Sequence, residues 1–294
     1  MIVKIVLPLI LAFIMFSLGL GLRGSDFGRV VKFPKAFGVG LFNQLILLPL
    51  AAFGIVMLFK PEPEIAVGIM ILALCPGGVT SNVLTRIANG NTPLSISMTA
   101  IVSLISIVTV PILIALSVDH FMGVEGPEVN VTRLGVQMFL LTAVPVGVGM
   151  LLTRLAPNFA KRIAGSVSKI ALALFVFMIV AAIAKNWEVF SSNLPNLGPA
   201  LILLNIFLLA IGLLTAKAAR LDTKDASTIA IESGIQNGIL AIAVGTLIAT
   251  LNSETLPPTT VPAAVYGVTM YLVSVPFVMW RRKLRSGANE AAGS

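Results

Sequence analysis

Charge is what this chain has least of. Of its 294 residues, 20 are Lys or Arg and 12 are Asp or Glu, or 11% charged against 57% hydrophobic. Soluble domains carry roughly a quarter charged residues, so almost no sequence is left for a soluble domain. Cysteine is reduced to Cys75 alone, which excludes an internal disulfide and any thiolate metal cluster. Histidine is reduced to His120, which makes a His-built relay or metal centre a poor reading. What is abundant is apolar sequence, in runs of about 20 residues or more that do not alternate as barrel strands would. Mean hydropathy is +1.02. The composition predicts an all-α polytopic membrane protein.

Nine apolar segments can be marked, over 3–22, 34–58, 64–87, 92–118, 131–152, 167–184, 198–216, 224–250 and 260–280. The first passes into RGSDFGR without a small-residue cleavage site, so it reads as a retained helix and not a signal peptide. All but four of the 20 Lys and Arg (Lys4, Lys60, Arg133 and Lys185) fall in alternate connections and in the C-terminal tail. The positive-inside rule then places the C-terminus in the cytoplasm and the N-terminus outside, which requires an odd number of spans. The net charge of +8 is thereby a topology signal, and no nucleic-acid partner is implied. Arg281-Arg282-Lys283 read as a stop-transfer and headgroup anchor. The expected location is the plasma (inner) membrane.

Two segments are interrupted. The third carries CPGGVTSNVLT (Cys75 to Thr85), and the eighth carries TIAIESGIQNGIL (Thr228 to Leu240). Each follows a segment with amides at mid-span (Asn43 and Gln44; Asn205) and precedes the last segment of its half. A shift by five segments reverses membrane orientation, which is the pattern of an inverted repeat with its binding site at the broken helices. The predicted architecture is nine transmembrane helices with two crossed discontinuous ones, 64–87 and 224–250. A panel domain (1–33 and 127–190) would stand against a core domain (34–118 and 195–283), followed by a cytoplasmic tail, 284–294.

Glu232 is the one acidic residue placed at membrane depth. A carboxylate there costs several kcal/mol unless paired or coordinated, and no Lys, Arg or His lies within a core segment to pair it. Freed carbonyls at Pro76–Gly78 are tolerated only against protein or a cavity. Ser81, Asn82, Ser95, Thr99 and Glu232 supply oxygens of the kind a small hard cation needs, and Ser95 and Thr99 share one helix face. Gln236, four beyond Glu232, and Gln44 could add an outer layer or a second site. One net negative charge with neutral oxygens fits Na⁺ better than Ca²⁺ or Mg²⁺. Ser17, Ser103, Ser106 and Thr109 are read as bonding their own helix or permitting close packing. Pro8, Pro111, Pro145 and Pro276 are read as kinks. Asn43, Gln44 and Asn205 fit interhelical hydrogen bonding as well as a site.

Several stretches together resemble the bile acid:sodium symporter family. They are CPGGxxSNxxT, the following S-x-x-x-T helix (Ser95, Thr99), the later ExGxQN (Glu232 to Asn237), the early FSLGLGL (Phe16 to Leu22) and SDF (Ser25 to Phe27). The likeness runs from Ile10 to Trp280, in a bacterial-type, nine-span form. It implies two sodium sites: one of Ser81, Asn82, Ser95, Thr99 and Glu232, the other of Glu232, Gln236 and Gln44 with the carbonyls of Ser233 and Ile235. It also implies an organic anion near Asn237, with Val79, Thr80, Tyr271 and Asn205 as further candidates. Val79 and Tyr271 stand where some bile-acid-binding relatives have polar residues, so a smaller anion such as pantoate is an alternative substrate.

The reading at this point is a non-enzymatic, sodium-coupled importer of an organic anion working by alternating access. A proton-coupled carrier, an ion channel and, less well supported, an intramembrane enzyme stand as alternatives. The oligomeric state is open.

Overall fold

With no water in the hydrocarbon layer to bond the backbone, apolar runs of this length form helices. The computed structural model describes residues 2–28, 33–185, 187–248 and 257–293, and no strand occurs among them. Residues 1, 29–32, 186, 249–256 and 294, which belong to the expected panel stretches, the end of the eighth segment and the tail, lie outside the described residues.

The chain runs through α1 (Ile2–Leu20), α2 (Pro34–Phe59), α3 (Pro63–Leu74), α4 (Val79–Ile87), α5 (Thr92–Met122) and α6 (Val131–Leu155). It continues through α7 (Pro157–Lys185), α8 (Trp187–Ala218), α9 (Thr223–Gly234), α10 (Gly238–Ile248) and α11 (Val261–Gly293). Among the described residues seven spans are long and apolar enough to cross a bilayer, α9 and α10 counting as one, and the bent α3–α4 pair makes up to eight. In α1, Pro8–Leu20 falls among the shorter apolar helices. Helix α8 begins well before residue 198, despite Pro195 and Pro199 inside it. Helix α11 does not end at Trp280: it continues to Gly293, so the expected separate tail is helical as far as that residue. Arg, Lys, Leu, Glu and Ala in RRKLRSGANEAAG are good helix formers.

Two spans contain a π-turn, Asn43–Leu47 in α2 and Phe139–Ala143 in α6. Each ends one residue before an X-Pro pair, Leu48-Pro49 and Val144-Pro145. A proline ring inside a helix lacks the N–H and crowds the carbonyl four residues back. Widening the preceding turn relieves that crowding. In α2 this turn carries Asn43 and Gln44, both buried.

Helix α1 packs on α6 and α7. The approach to α6 is close enough that a Cβ on Gly149 would strike the backbone of Phe16 and Gly19, the small-residue contact typical of membrane helices. Helices α4, α5 and α9 pack on one another, and α8 packs on α9 and α11. Leu104, Val108, Ile112 and Leu116 of α5 form an exposed stripe four residues apart, the face a span offers to lipid.

Candidate functional site

The site is made by two helices that stop halfway. Helix α3 ends at Leu74 because Pro76 drives the residue before it out of the helical region: Cys75 has φ −72° and ψ 145°. Gly78 is extended as well, and α4 starts at Val79 with a bend of 59° relative to α3. Helix α9 stops at Gly234 with no proline present; Ile235 is extended at φ −110°, ψ 113°. Side chains satisfy the carbonyl left there. Asn205 Nδ2 donates to Gly234 O (2.6 Å), Tyr266 OH donates to the same oxygen (2.8 Å), and Ser274 Oγ donates to Asn205 Oδ1 (3.3 Å).

The breaks meet. Asn237 N donates to Pro76 O at 2.9 Å, joining the two interrupted segments backbone to backbone. Gln44 Nε2, in the π-turn, donates to Cys75 O (3.0 Å) and Gln236 Oε1 (3.1 Å), and Gln236 Nε2 donates to Ser233 O (2.9 Å). Asn43 Nδ2 donates to Thr215 Oγ1 at 2.8 Å.

At the crossing sits Glu232, 2% exposed. Thr99 Oγ1 donates to its Oε2 (3.0 Å), Ser95 Oγ bonds its Oε1, and Ser81 completes its hydroxyl partners. The carboxylate lies against Gly77: a Cβ there would stand 2.7 Å from Glu232 Oε2 and 3.2 Å from Ser81 Oγ. The cluster is short of protons. Ser95 Oγ is within reach of both Glu232 Oε1 and Asn82 Oδ1 (2.7 Å) but has one hydrogen to donate. Ser81 Oγ likewise has one hydrogen for two acceptors, Gly78 O at 2.7 Å and the Glu232 carboxylate. Oxygen acceptors outnumber donors around a buried anion, which is the condition a cation relieves. The cluster offers one carboxylate among neutral oxygens, whereas divalent ions usually recruit more carboxylates.

The structure thus brings Ser81, Asn82, Ser95, Thr99 and Glu232 into one cluster. Gln44, Gln236 and Ser233 form an adjoining hydrogen-bonded group, and Ile235 lies in the break between them and α10. A cleft, open at its mouth, adjoins the crossing. One wall holds the first residues of α4 and α10, including Val79, Thr80, Asn237 and Gly238; the other holds Ser17 of α1 with Ser168 and Phe175 of α7. Asn237 Oδ1 caps α10 by accepting from Leu240 N at 3.1 Å. Two of the residues expected near a substrate are placed elsewhere. Asn205 is fully buried because the second break takes its amide, and it does not line the cleft. Tyr271 does not line it either: its enclosed hydroxyl lies beside Thr80 without a hydrogen bond of good geometry.

Sequence reasoning passed over Tyr266, one of two tyrosines in the chain and fully buried. Its signal was a phenol in an otherwise apolar segment. Arg281 is the other correction. It is no headgroup anchor: it is buried, with Nε donating to Ser227 Oγ (2.9 Å) and a terminal nitrogen to Thr223 O (3.2 Å), which ties the end of α11 to the first turn of α9.

Broken helices that meet around polar groups inside a helical membrane protein are the arrangement in which many secondary transporters build their binding sites. Residues 8–193 match the family model described as Sodium Bile acid symporter family, and the chain belongs to that family. It is 31% identical over 287 residues to the uncharacterized sodium-dependent transporter YocS of Bacillus subtilis, covering 95% of this chain and 84% of that one. It is 32% identical over 274 residues to the probable chloroplastic sodium/metabolite cotransporter BASS2 of Oryza sativa subsp. japonica, covering 93% of this chain and 63% of that one. It is 28% identical over 237 residues to the human ileal sodium/bile acid cotransporter, covering 79% of this chain and 66% of that one. The rice protein thus contains over a third of sequence with no counterpart here. These relatives are named as transporters and not as enzymes.

Proposed function

We propose that this protein is a symporter that draws an organic anion into the cell with sodium, by alternating access. The observation that carries the proposal is the proton-poor cluster around Glu232, whose carboxylate is buried with hydroxyl partners only. An uncompensated carboxylate away from water costs several kcal/mol, and hydroxyls whose hydrogens are shared with other acceptors offset only part of that. Sodium bound by Ser81, Asn82, Ser95, Thr99 and Glu232 offsets the rest. A second sodium is held by Gln44, Gln236 and Glu232 with the carbonyls of Ser233 and Ile235, where amide oxygens and a freed backbone already lie together.

The anion occupies the cleft, against the N-termini of α4 and α10, whose dipoles favour negative charge. Val79, Thr80 and Asn237 contact it. The names of relatives point to bile acids or smaller metabolites, and a compact carboxylate such as pantoate is a candidate of the smaller kind. Nine spans are arranged with the N-terminus outside and the C-terminus in the cytoplasm. Helices α1, α6 and α7 form the panel and the rest the core, which is built as an inverted repeat. Support for the repeat is that Gln44 and Asn205 play similar parts, each donating to a backbone carbonyl at a break, Cys75 O and Gly234 O. Sodium draws the crossing together, the core shifts against the panel, and the cleft opens to the other side. Sodium and anion must each raise the other's affinity, because the coupling is reciprocal.

The test is Glu232→Gln in proteoliposomes carrying a sodium gradient. Sodium-driven uptake is expected to vanish, and uptake at the wild-type rate overturns the assignment. Replacing sodium by choline at fixed pH separates this reading from a proton-coupled carrier. A thermal-shift screen of organic anions with and without sodium identifies the substrate, because a ligand of the folded state raises its stability.

A further inference from the structure

The breaks divide each interrupted span into two halves of opposite character. Helix α3 (PEIAVGIMILAL) is buried and apolar from Ile65 to Leu74, and α10 (GILAIAVGTLI) is buried and apolar from Gly238 to Gly245. Helix α4 carries Thr80, Ser81, Asn82 and Thr85, and α9 carries Ser227, Thr228, Glu232 and Ser233. These polar halves lead to the side of Arg281, the cytoplasmic side in the reading above.

The polar residues are in register. Thr85 is four residues from Ser81, Thr228 four from Glu232, and Asn91 four from Ser95. On three helices packed together, that spacing sets a second ring about one turn, ~5.4 Å, from the first. Contacts bear this out. Asn91 N donates to Thr228 Oγ1 at 2.8 Å, and Gly90 N donates to Thr85 O at 2.8 Å. Gly90 sits between the two threonines, since a Cβ on it would meet Thr228 Oγ1 at 2.8 Å and Thr85 Cγ2 at 2.9 Å. Thr85 is wholly buried, yet its Oγ1 has no hydrogen-bond partner. Beyond the ring lies the partly exposed Asp225, whose Oδ1 accepts from Asn91 Nδ2 at 2.7 Å.

We propose that this ring is a second, transient sodium position, through which the ion leaves the Glu232 cluster for the cytoplasm. The proposal rests on sodium binding at Glu232. Thr85 Oγ1 and Thr228 Oγ1 offer oxygens one turn on, so the ion exchanges ligands stepwise and is never stripped of all of them. Asp225 is the mouth where it regains water. Asn91, bonded to both Thr228 and Asp225, closes the route in the present arrangement. The apolar α3 and α10 offer no such ladder, so release is directed to one side.

Thr85→Val removes the free hydroxyl at constant shape, and Asp225→Asn removes the charge at the mouth. Each is expected to lower the maximal rate of sodium-driven uptake by about fivefold or more. The sodium concentration that half-maximally raises the melting temperature should stay within about twofold of wild type, and Thr85→Ser should restore the rate. Wild-type rates in both Val and Asn variants overturn the proposal. So does a parallel loss of sodium stabilisation, which would make Thr85 and Asp225 part of the binding site itself. If the unmodified protein shows no stabilisation by sodium, the reading of Glu232 fails first.

Discussion

The two breaks reach the same geometry by different means. At the first, the chain has no choice. Pro76 forces Cys75 to be extended, and Gly77-Gly78 continue the interruption to Val79. At the second, nothing in Gly234-Ile235-Gln236-Asn237 forbids a helix as proline does. The interruption persists because Asn205 and Tyr266 bond Gly234 O, Gln236 bonds Ser233 O, and Asn237 N is bonded by Pro76 O. One break is written into its own residues, and the other depends on its neighbours. The carboxylate belongs to the second. The first is thus a fixed wall, and Glu232 hangs from the adjustable one, where an ion can pull the surroundings into order.

Gly77→Ala breaks that comparison most severely. A methyl at Gly77 would press on Glu232 Oε2 at 2.7 Å and Ser81 Oγ at 3.2 Å. Both atoms belong to side-chain ends and not to backbone, so the protein can fold by swinging the carboxylate away from Ser95 and Thr99. Sodium-driven uptake should fall by about tenfold or more, while the melting temperature without sodium changes little. Full activity in this variant would show that the carboxylate does not work where it now sits.

A smaller effect separates the breaks from each other. Asn205→Leu leaves Gly234 O with Tyr266 alone and strands the hydroxyl of Ser274. A lost interhelical hydrogen bond in a membrane protein costs about 0.6 to 2 kcal/mol. Hydrogen exchange at residues 235–238 should quicken, because side chains hold that break open. Gln44→Leu bares Cys75 O in the same way, yet exchange at residues 75–78 should stay as it is, because Pro76 still prevents the helix from closing. Equal acceleration at both breaks would remove the distinction drawn here.

The same contrast decides what could be read from the chain alone. The first break was legible because proline and glycine act locally. Glu232 stood out because a charge at depth is costly wherever it points. Ser95 and Thr99 followed from helical spacing. The second break's supports were not legible: Tyr266 and Asn205 are 61 residues apart in sequence, and no local rule joins them. Asn43 and Gln44 reach different partners, Thr215 and Cys75, across two neighbouring elements that helical spacing alone does not identify. Arg281 looked like a lipid anchor because sequence shows a charge near a helix end but not which neighbour, here the first turn of α9, covers it.

Gly238→Ala should have the smallest effect, and it tests how far the adjustable break moves. Gly238 opens α10 and borders the cleft. A Cβ there would meet Ala263 O at 3.4 Å and Phe175 Cε2 at 4.0 Å, ordinary contacts both. Gly238 begins a helix without a positive φ, and alanine restricts the unfolded chain more than glycine does, so the melting temperature should hold or rise. Uptake should stay within about twofold of wild type if α7 comes no nearer to α10 during the cycle than it stands now. A stable variant that fails to transport would mean that Phe175 closes on Gly238 in another state, with the missing side chain reserving the space for it.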